Sequence, residues 1–163
     1  MSSYAKCLIG GLIMLALVAV AHAQDAHPHV ADADREYAAV FSHAENPCQK
    51  EPTTLSYNQC IGKEVEFTEQ HLNAFLAAVR AIVAGDDAAQ APTEAVGKTK
   101  ELDLLNKADQ AWREYKKNLC QLEFAGFNGG SGASSAESEC EYGADRQYVR
   151  QIADAILLKI LAK

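Results

Sequence analysis

Four cysteines beyond residue 23 carry the most constrained chemistry in this chain: Cys48, Cys60, Cys120 and Cys140. An even number of cysteines in a small exported protein is typical of disulfides. Three pairings are possible, and we favour Cys48–Cys60 with Cys120–Cys140 because each of these pairs brackets one helix boundary. Zinc is the competing ligand for such thiols, but the spacings do not match the short knuckles of structural zinc sites. We therefore predict two disulfides and no metal site.

Catalytic residue types form no recognisable arrangement elsewhere. His43 and His71 are the only histidines beyond the N-terminal segment, and neither belongs to a local motif that pairs histidine with a nucleophile. The carboxylates of Glu64 and Glu66, like a similar pair in the last helix, stand two residues apart, and such side chains diverge on a helix. We therefore predict that the protein is not an enzyme, with no catalytic residue and no cofactor.

The N-terminal segment also contains His27 and His29. If export cleavage fell one residue later than predicted below, His27 would be third from a free amine. That spacing suits a square-planar copper or nickel site. A flexible tail with incidental histidines is the preferred interpretation, because terminal segments are usually poorly ordered.

The first 23 residues have the pattern of a secretory signal peptide. Lys6 precedes an apolar run that ends in Ala21-His22-Ala23, a small-residue cleavage site. The run is short for a membrane span, so we predict cleavage after Ala23, no membrane anchor, and a periplasmic or secreted protein. Residues 24–47 form a polar lead, partly flexible, and residues 48–163 form one domain.

The chain is acidic, with a formal net charge of −7, and loss of Lys6 with the signal peptide makes the remainder more acidic. Nucleic-acid binding needs a basic face, so this charge argues against it. A basic protein partner is compatible with the same charge. The composition leaves the oligomeric state open.

Apolar residues recur at helical spacing throughout, and no segment alternates in the manner of a strand. We predict an all-α bundle of three main helices, over 53–84, 99–124 and from Ser134 onward, stapled by two disulfides, with a short additional helix over 34–43. One threonine of Pro52-Thr53-Thr54 is suited to cap the first main helix, and Ser134 with Glu137 is typical of a capping box for the last. The predicted inward residues are Tyr37, Val40 and Phe41, then Ile61, Val65, Thr68, Leu72, Phe75, Val79 and Ile82, then Tyr148, Ile152, Ile156 and Ile160.

The central helix has an apolar stripe at steps of three and four: Leu105, Ala108, Trp112, Tyr115, Leu119 and Leu122. We predict that this stripe faces the core. The polar residues beside it are predicted to face water: Asp109, Arg113, Glu114, Lys116 and Lys117.

A set of spaced residues resembles the lysozyme inhibitor LprI-like N-terminal domain family of small exported bacterial proteins. Besides the cysteines, the shared positions are Leu72, Asn73, Ala108, Trp112, Tyr115, Gly129 and Gly130. The chain departs from the family pattern at Asp109, where glutamine is usual, and at Lys116-Lys117, where Arg-Asp is common. The resemblance implies a non-enzymatic binding protein, with a basic lysozyme or another cell-wall hydrolase as partner.

If the resemblance holds, the stapled segment from Phe127 to Glu139 is the candidate that enters the hydrolase cleft, because a constrained loop loses less entropy on binding. The predicted partner-binding residues are Phe127, Ser131, Ser134, Glu137 and Glu139. The alternative is a structural module of the cell envelope that binds a helical protein partner. An exposed apolar patch at the glycine-rich loop favours inhibition, whereas one along residues 152–161 favours a helical partner.

Overall fold

Four helices form the molecule in the computed structural model, which describes residues 29–89 and 100–157. They are α1 (Val30–Val40), α2 (Thr54–Ala89), α3 (Glu101–Gly126) and α4 (Ala133–Ile152), and a π-helical turn (Ala153–Leu157) follows α4. All regular secondary structure in these ranges is helical, so the predicted all-α bundle with three main helices is confirmed. The predicted short additional helix is α1, which spans Val30–Val40 rather than residues 34–43.

Several predictions made above concern other parts of the chain. The signal peptide, its cleavage site, His27 and Ile160 lie outside the described residues. Among the helices that are described, none has the length and apolarity needed to cross a membrane.

Both predicted disulfides are present. Cys48 pairs with Cys60, their Cα atoms 5.9 Å apart, and ties the α1–α2 connection to the start of α2. Cys120 pairs with Cys140, at 5.4 Å, and ties the end of α3 to the second turn of α4. The first disulfide thus spans the start of α2, and the second spans both the end of α3 and the start of α4.

Helix α2 is the centre of the bundle, because α1 and α4 both pack against it. Its buried row matches the prediction: Ile61, Thr68, Leu72, Phe75, Val79 and Ile82 are buried, and Val65 is partly buried. Tyr148, Val149 and Ile152 of α4 complete the same core.

The end of α2 differs from the prediction, since the helix continues past Ala84 and Gly85 to Ala89. The extra turn has a structural role. The carboxylate of Asp87 accepts hydrogen bonds from the backbone N–H groups of Glu101 and Leu102, at 3.3 and 3.2 Å. These are donors that the first turn of α3 cannot satisfy internally, so α2 caps α3 from outside.

The two predicted helix caps had different outcomes. Thr53 caps α2 as predicted, because its Oγ1 accepts from the backbone N–H of Ser56 at 3.1 Å. The prediction of a capping box at Ser134 is wrong. Helix α4 begins one residue earlier, after Gly132, without a side-chain cap. Ala133 is thereby buried, and the Ser134 hydroxyl accepts a hydrogen bond from Asn58 of α2 at 3.2 Å instead.

Helix α3 is rotated relative to the prediction. Its inward row is Leu105, Asp109, Trp112, Lys116 and Cys120. The prediction that the apolar stripe faces the core was wrong for three of its members: Ala108 is exposed, Tyr115 is 60% exposed and Leu122 is 70% exposed. The separate prediction that the neighbouring polar residues face water was wrong for Asp109, Arg113 and Lys116, which contact the neighbouring helices. The cause is a set of ion pairs described below.

Replacing Gly62 with alanine tests the local energetics of α2. Gly62 lies inside the helix, and a Cβ at this position would have no neighbour within 4 Å. Because glycine in a helix interior costs about 0.5–1 kcal/mol relative to alanine, we expect Gly62→Ala to raise the free energy of unfolding by that amount in urea titrations. Gly129→Ala is the contrasting variant: its φ of +76° predicts a loss of about 1 kcal/mol. A destabilised Gly62→Ala protein would contradict this account.

Candidate functional site

The end of α3 and its connection to α4 are exposed to solvent, and we call residues 121–132 the α3–α4 tip. Every residue from Gln121 to Ser131 is exposed. Three of them are large and apolar: Leu122, Phe124 and Phe127 are 70%, 40% and 49% exposed. Leu122 and Phe124 stand two residues apart and therefore face different sides of α3. Each of the three is an exposed apolar side chain that is available for contact with a protein partner.

The tip has a tight backbone. Asn128 and Gly129 both have positive φ, 48° and 76°, and the backbone N–H of Gly130 donates to the carbonyl of Phe127 at 2.9 Å. A Cβ at Gly130 would lie 3.1 Å from that same carbonyl oxygen. The glycines therefore shape a short helix connection, which the Cys120–Cys140 disulfide anchors at its base.

The predicted partner-binding residues fall into two groups. Phe127 and Ser131 lie in the tip and are exposed. Ser134, Glu137 and Glu139 lie on α4 instead, because the helix begins at Ala133. Two of the five predicted residues therefore lie in the tip, and the other three lie along α4.

The α4 residues of this set also make contacts within the bundle. Glu139 accepts a hydrogen bond from the hydroxyl of Tyr57 at 2.7 Å. Burial, followed by the hydrogen bond to Glu139, raises the pKa of Tyr57 to about 12. Glu137 is half-buried and close to Glu141, whose pKa is raised chiefly by burial. Glu139, with Ser134, therefore joins α4 to α2.

An ion-pair network joins α2 to α3. Asp109 pairs with Arg80 of α2 at 2.6 Å and with Arg113 of its own helix at 3.1 Å. Arg113 also donates to the side-chain carbonyl of Asn73 at 2.9 Å. Two positions named from the family resemblance thus have structural roles: Asn73 in this network and Leu72, which is fully buried beside it.

A second pair joins α3 to α4. Lys116 donates to Asp145 at 2.9 Å, and the Asp145 side chain is fully buried. Burial raises the pKa of Asp145 to about 6 although the ammonium of Lys116 opposes the shift. Lys116 also lies over the ring of Trp112, and Trp112 stacks on Tyr148 with ring centroids 4.3 Å apart. These contacts hold α3 in its observed rotation.

Arg146 of α4 holds the segment that follows α1. Its Nη1 donates to the carbonyls of Val40 and His43, at 2.8 and 3.1 Å, and to the hydroxyl of Tyr142 at 2.9 Å. The guanidinium lies 4.9 Å from the ring centroid of Phe41. A buried arginine needs such partners, so this residue supports the fold.

Both histidines beyond the N-terminal segment pair with glutamates between α1 and α2. His71 contacts Glu36 at 2.6 Å, and His43, just after α1, contacts Glu64. The ring of Phe67 lies between the two imidazoles. The described residues contain no group of three or more side chains suited to hold a metal ion.

Sequence reasoning missed the inward charges of α3, although the chain contains a signal for them. A cysteine in a disulfide must face its partner, so Cys120 marks the inward side of α3. Counting back from Cys120 by four residues reaches Lys116 and then Trp112, and a further step of three reaches Asp109. The inward row could therefore have been anchored on the cysteine rather than on the apolar residues alone.

Replacing Asp145 with asparagine tests the buried pair through its pH dependence. Because the folded-state pKa of about 6 exceeds the ordinary value of about 3.9, the folded protein holds a proton that the unfolded chain releases. The unfolding free energy of the wild type should therefore fall as pH rises from about 4 to about 6, by roughly 3 kcal/mol from this group. Asp145→Asn lacks that contribution, so its stability relative to the wild type should increase across this range. Urea titrations of both proteins at several pH values measure this difference in unfolding free energy.

The exposed Asp34 supplies the control for this experiment. Asp34→Asn should follow the wild-type profile in that range. A stability difference between wild type and Asp145→Asn that stays constant from pH 4 to pH 6 would contradict the raised pKa.

Comparison with known proteins gives one match. The family model described as lysozyme inhibitor LprI matches residues 44–152. No curated protein and no solved structure matches the chain. The matched range contains both disulfides, all of α3 and α4, and the α3–α4 tip, so it covers the whole candidate site. The resemblance found in the sequence is therefore confirmed, and the chain belongs to the lysozyme inhibitor LprI family.

Proposed function

We propose that this protein is an exported, non-enzymatic binding protein that inhibits a lysozyme or a related cell-wall hydrolase. Its signal peptide would comprise residues 1–23, with cleavage after Ala23, and the mature protein would act in the periplasm or outside the cell. The two disulfides support an oxidising compartment. Membership of a family named for lysozyme inhibition supports the activity.

The observation that carries the proposal is the exposed and stapled α3–α4 tip. Phe127 projects 49% of its surface into solvent from a turn that a disulfide closes at its base. Aromatic side chains often supply the central contacts of protein interfaces. A segment that is already rigid pays little ordering entropy on binding, so the tip is suited to enter a concave enzyme cleft.

The charge distribution suits such a target. The run from Phe124 to Gly132 contains no charged residue, so it can approach the acidic catalytic cleft expected of a lysozyme without repulsion. The flanking Glu123 is exposed and Glu137 is half-buried. These carboxylates, together with the net charge of −7, would attract the basic surface typical of lysozymes and increase the association rate.

The alternative, a helical partner in the cell envelope, has less support in the described residues. It called for exposed apolar surface along residues 152–161. The first two of these, Ile152 and Ala153, are 8% and 7% exposed, and the side chains from residue 157 onward lie outside the described part of the chain. Among the described residues, three of the six large exposed apolar side chains lie at the tip: Leu122, Phe124 and Phe127. The tip therefore favours inhibition over a helical partner at that end of α4.

Variants of the tip test the proposal directly. We expect the purified, oxidised protein to slow the clearing of bacterial cell walls by at least one structural class of lysozyme at physiological salt. Phe127→Ala and Leu122→Ala should each raise the half-inhibitory concentration by roughly ten- to thirty-fold, the effect of losing about 1.4–2 kcal/mol of interface energy. Glu137→Gln should have a smaller effect that shrinks further at high salt.

The matched control is Leu104→Ala. Leu104 is 52% exposed on the same helix but lies 18 residues before Leu122, roughly 27 Å along the helix axis. Its replacement should leave inhibition unchanged. Absence of inhibition against every lysozyme class at tens of micromolar would overturn the proposed function, and equal losses in Leu104→Ala and Leu122→Ala would place binding elsewhere.

The two disulfides provide a further prediction. Removing either one should lower stability by about 2–4 kcal/mol, but the double variant Cys120→Ser/Cys140→Ser should also weaken inhibition at temperatures where it stays folded. Cys48→Ser/Cys60→Ser is the control, because its disulfide is not at the base of the tip. Circular dichroism at the assay temperature verifies folding. Equal inhibition by the two folded variants would show that the tip disulfide has no part in binding.

A further inference from the structure

A groove lies between α3 and α4, and we call it the α3–α4 groove. Its volume is about 310 Å³, and its lining includes Trp112, Tyr115, Leu119, Gly143, Gln147 and Gln151. This volume is at the lower end of the range found for small-molecule sites in proteins. The groove follows the outer surface of α4 from its second turn toward its end.

The middle of the groove is open because α4 has a glycine there. A Cβ at Gly143 would have no neighbour within 4 Å, so the space beside it is empty rather than filled by packing. Leu119 and Ala144 give this part of the groove an apolar lining. The ring of Tyr115, 60% exposed, forms one wall.

Four hydrogen-bonding groups of the groove have no partner within residues 29–89 and 100–157. They are the indole N–H of Trp112, the hydroxyl of Tyr115 and the side-chain amides of Gln147 and Gln151. Trp112 is half-buried and the other three residues are exposed, so a ligand in the groove can reach their side chains. The two amides can each donate and accept hydrogen bonds, whereas the indole only donates.

The charge of the groove is low. Glu139 is the only carboxylate among its lining residues, which include no lysine, arginine or histidine. Its Oε1 already accepts a hydrogen bond from the hydroxyl of Tyr57 at 2.7 Å. Phosphorylated or nucleic-acid ligands would meet this carboxylate without any lysine or arginine to balance their charge. The lining therefore suits a neutral ligand with many hydroxyl and amide groups.

We propose that the α3–α4 groove binds a neutral chain of N-acetylated amino sugars. The C–H face of a sugar ring would pack on Tyr115, and the acetamido methyl group would fill the apolar space beside Leu119 and Gly143. The acetamido N–H and C=O would pair with Gln147, because an amide is complementary to an amide. This site is separate from the tip and does not depend on lysozyme inhibition.

Trp112 provides the readout, since it is the only tryptophan of the chain and lines the groove. We expect the tetramer of N-acetylglucosamine to change its fluorescence saturably, with matching heats in isothermal titration calorimetry. Gln147→Ala should weaken binding about ten-fold, the effect of one lost hydrogen bond that the ligand cannot replace. Gly143→Leu should abolish binding by filling the groove.

Gly85→Leu is the matched control, because Gly85 is also exposed on a helix with nothing within 4 Å of its Cβ. It should bind the tetramer like the wild type, and so should the tip variant Phe127→Ala, which separates this site from the proposed inhibition. Cellotetraose, which lacks acetamido groups, should bind at least five-fold more weakly. Equal binding of the two sugars would overturn the specificity that we assign to the acetamido group.

Two other outcomes would overturn the proposal as a whole. One is the absence of any saturable signal at several millimolar tetramer. The other is self-association, measured by light scattering, that Gly143→Leu abolishes while the sugars have no effect. The groove would then be an interface between copies of this chain.

Discussion

The ion pair between Lys116 and Asp145 determines how α3 lies against the rest of the bundle. A fully buried carboxylate is tolerable only when a cation and hydrogen bonds compensate for the water it has lost. Lys116 supplies that cation only if its side of α3 faces α4. Asp109, paired with Arg80 of α2, imposes the same rotation about two turns earlier.

Both candidate surfaces follow from this rotation. With the charged row turned inward, Tyr115 and Leu122 have to face solvent, although their apolar character favours burial. Leu122 then adds to the exposed surface of the α3–α4 tip, and Tyr115 forms a wall of the α3–α4 groove. The Cys120–Cys140 disulfide lies between the two surfaces, since it anchors the tip and Cys140 also lines the groove.

Such an arrangement exchanges stability for a defined geometry. A row of apolar residues on the inner side of α3 would bury more hydrophobic surface, and buried ion pairs seldom stabilise more than well-packed apolar side chains do. The pairs at Asp109 and Asp145, however, tolerate few alternative rotations, because each displaced charge would be left buried without a partner. They hold the exposed apolar residues in fixed positions, which is what binding through a rigid surface requires.

The amino-acid sequence alone determined the helical class, the buried row of α2 and the family, because these depend on periodicity and spacing along one chain. It favoured the observed disulfide pairing over two others, but the pairing itself depends on which cysteines meet in space. The rotation of α3 was decided only by the tertiary structure. The predicted and the observed inward rows share Leu105 and Trp112, so periodicity does not distinguish them. The sequence pattern favours the more apolar row, and only the position of Asp145 across the helix interface makes the charged row the stable one. The start of α4 also differs from its local capping signal, since the helix begins at Ala133 and Ser134 accepts a hydrogen bond from Asn58 of α2.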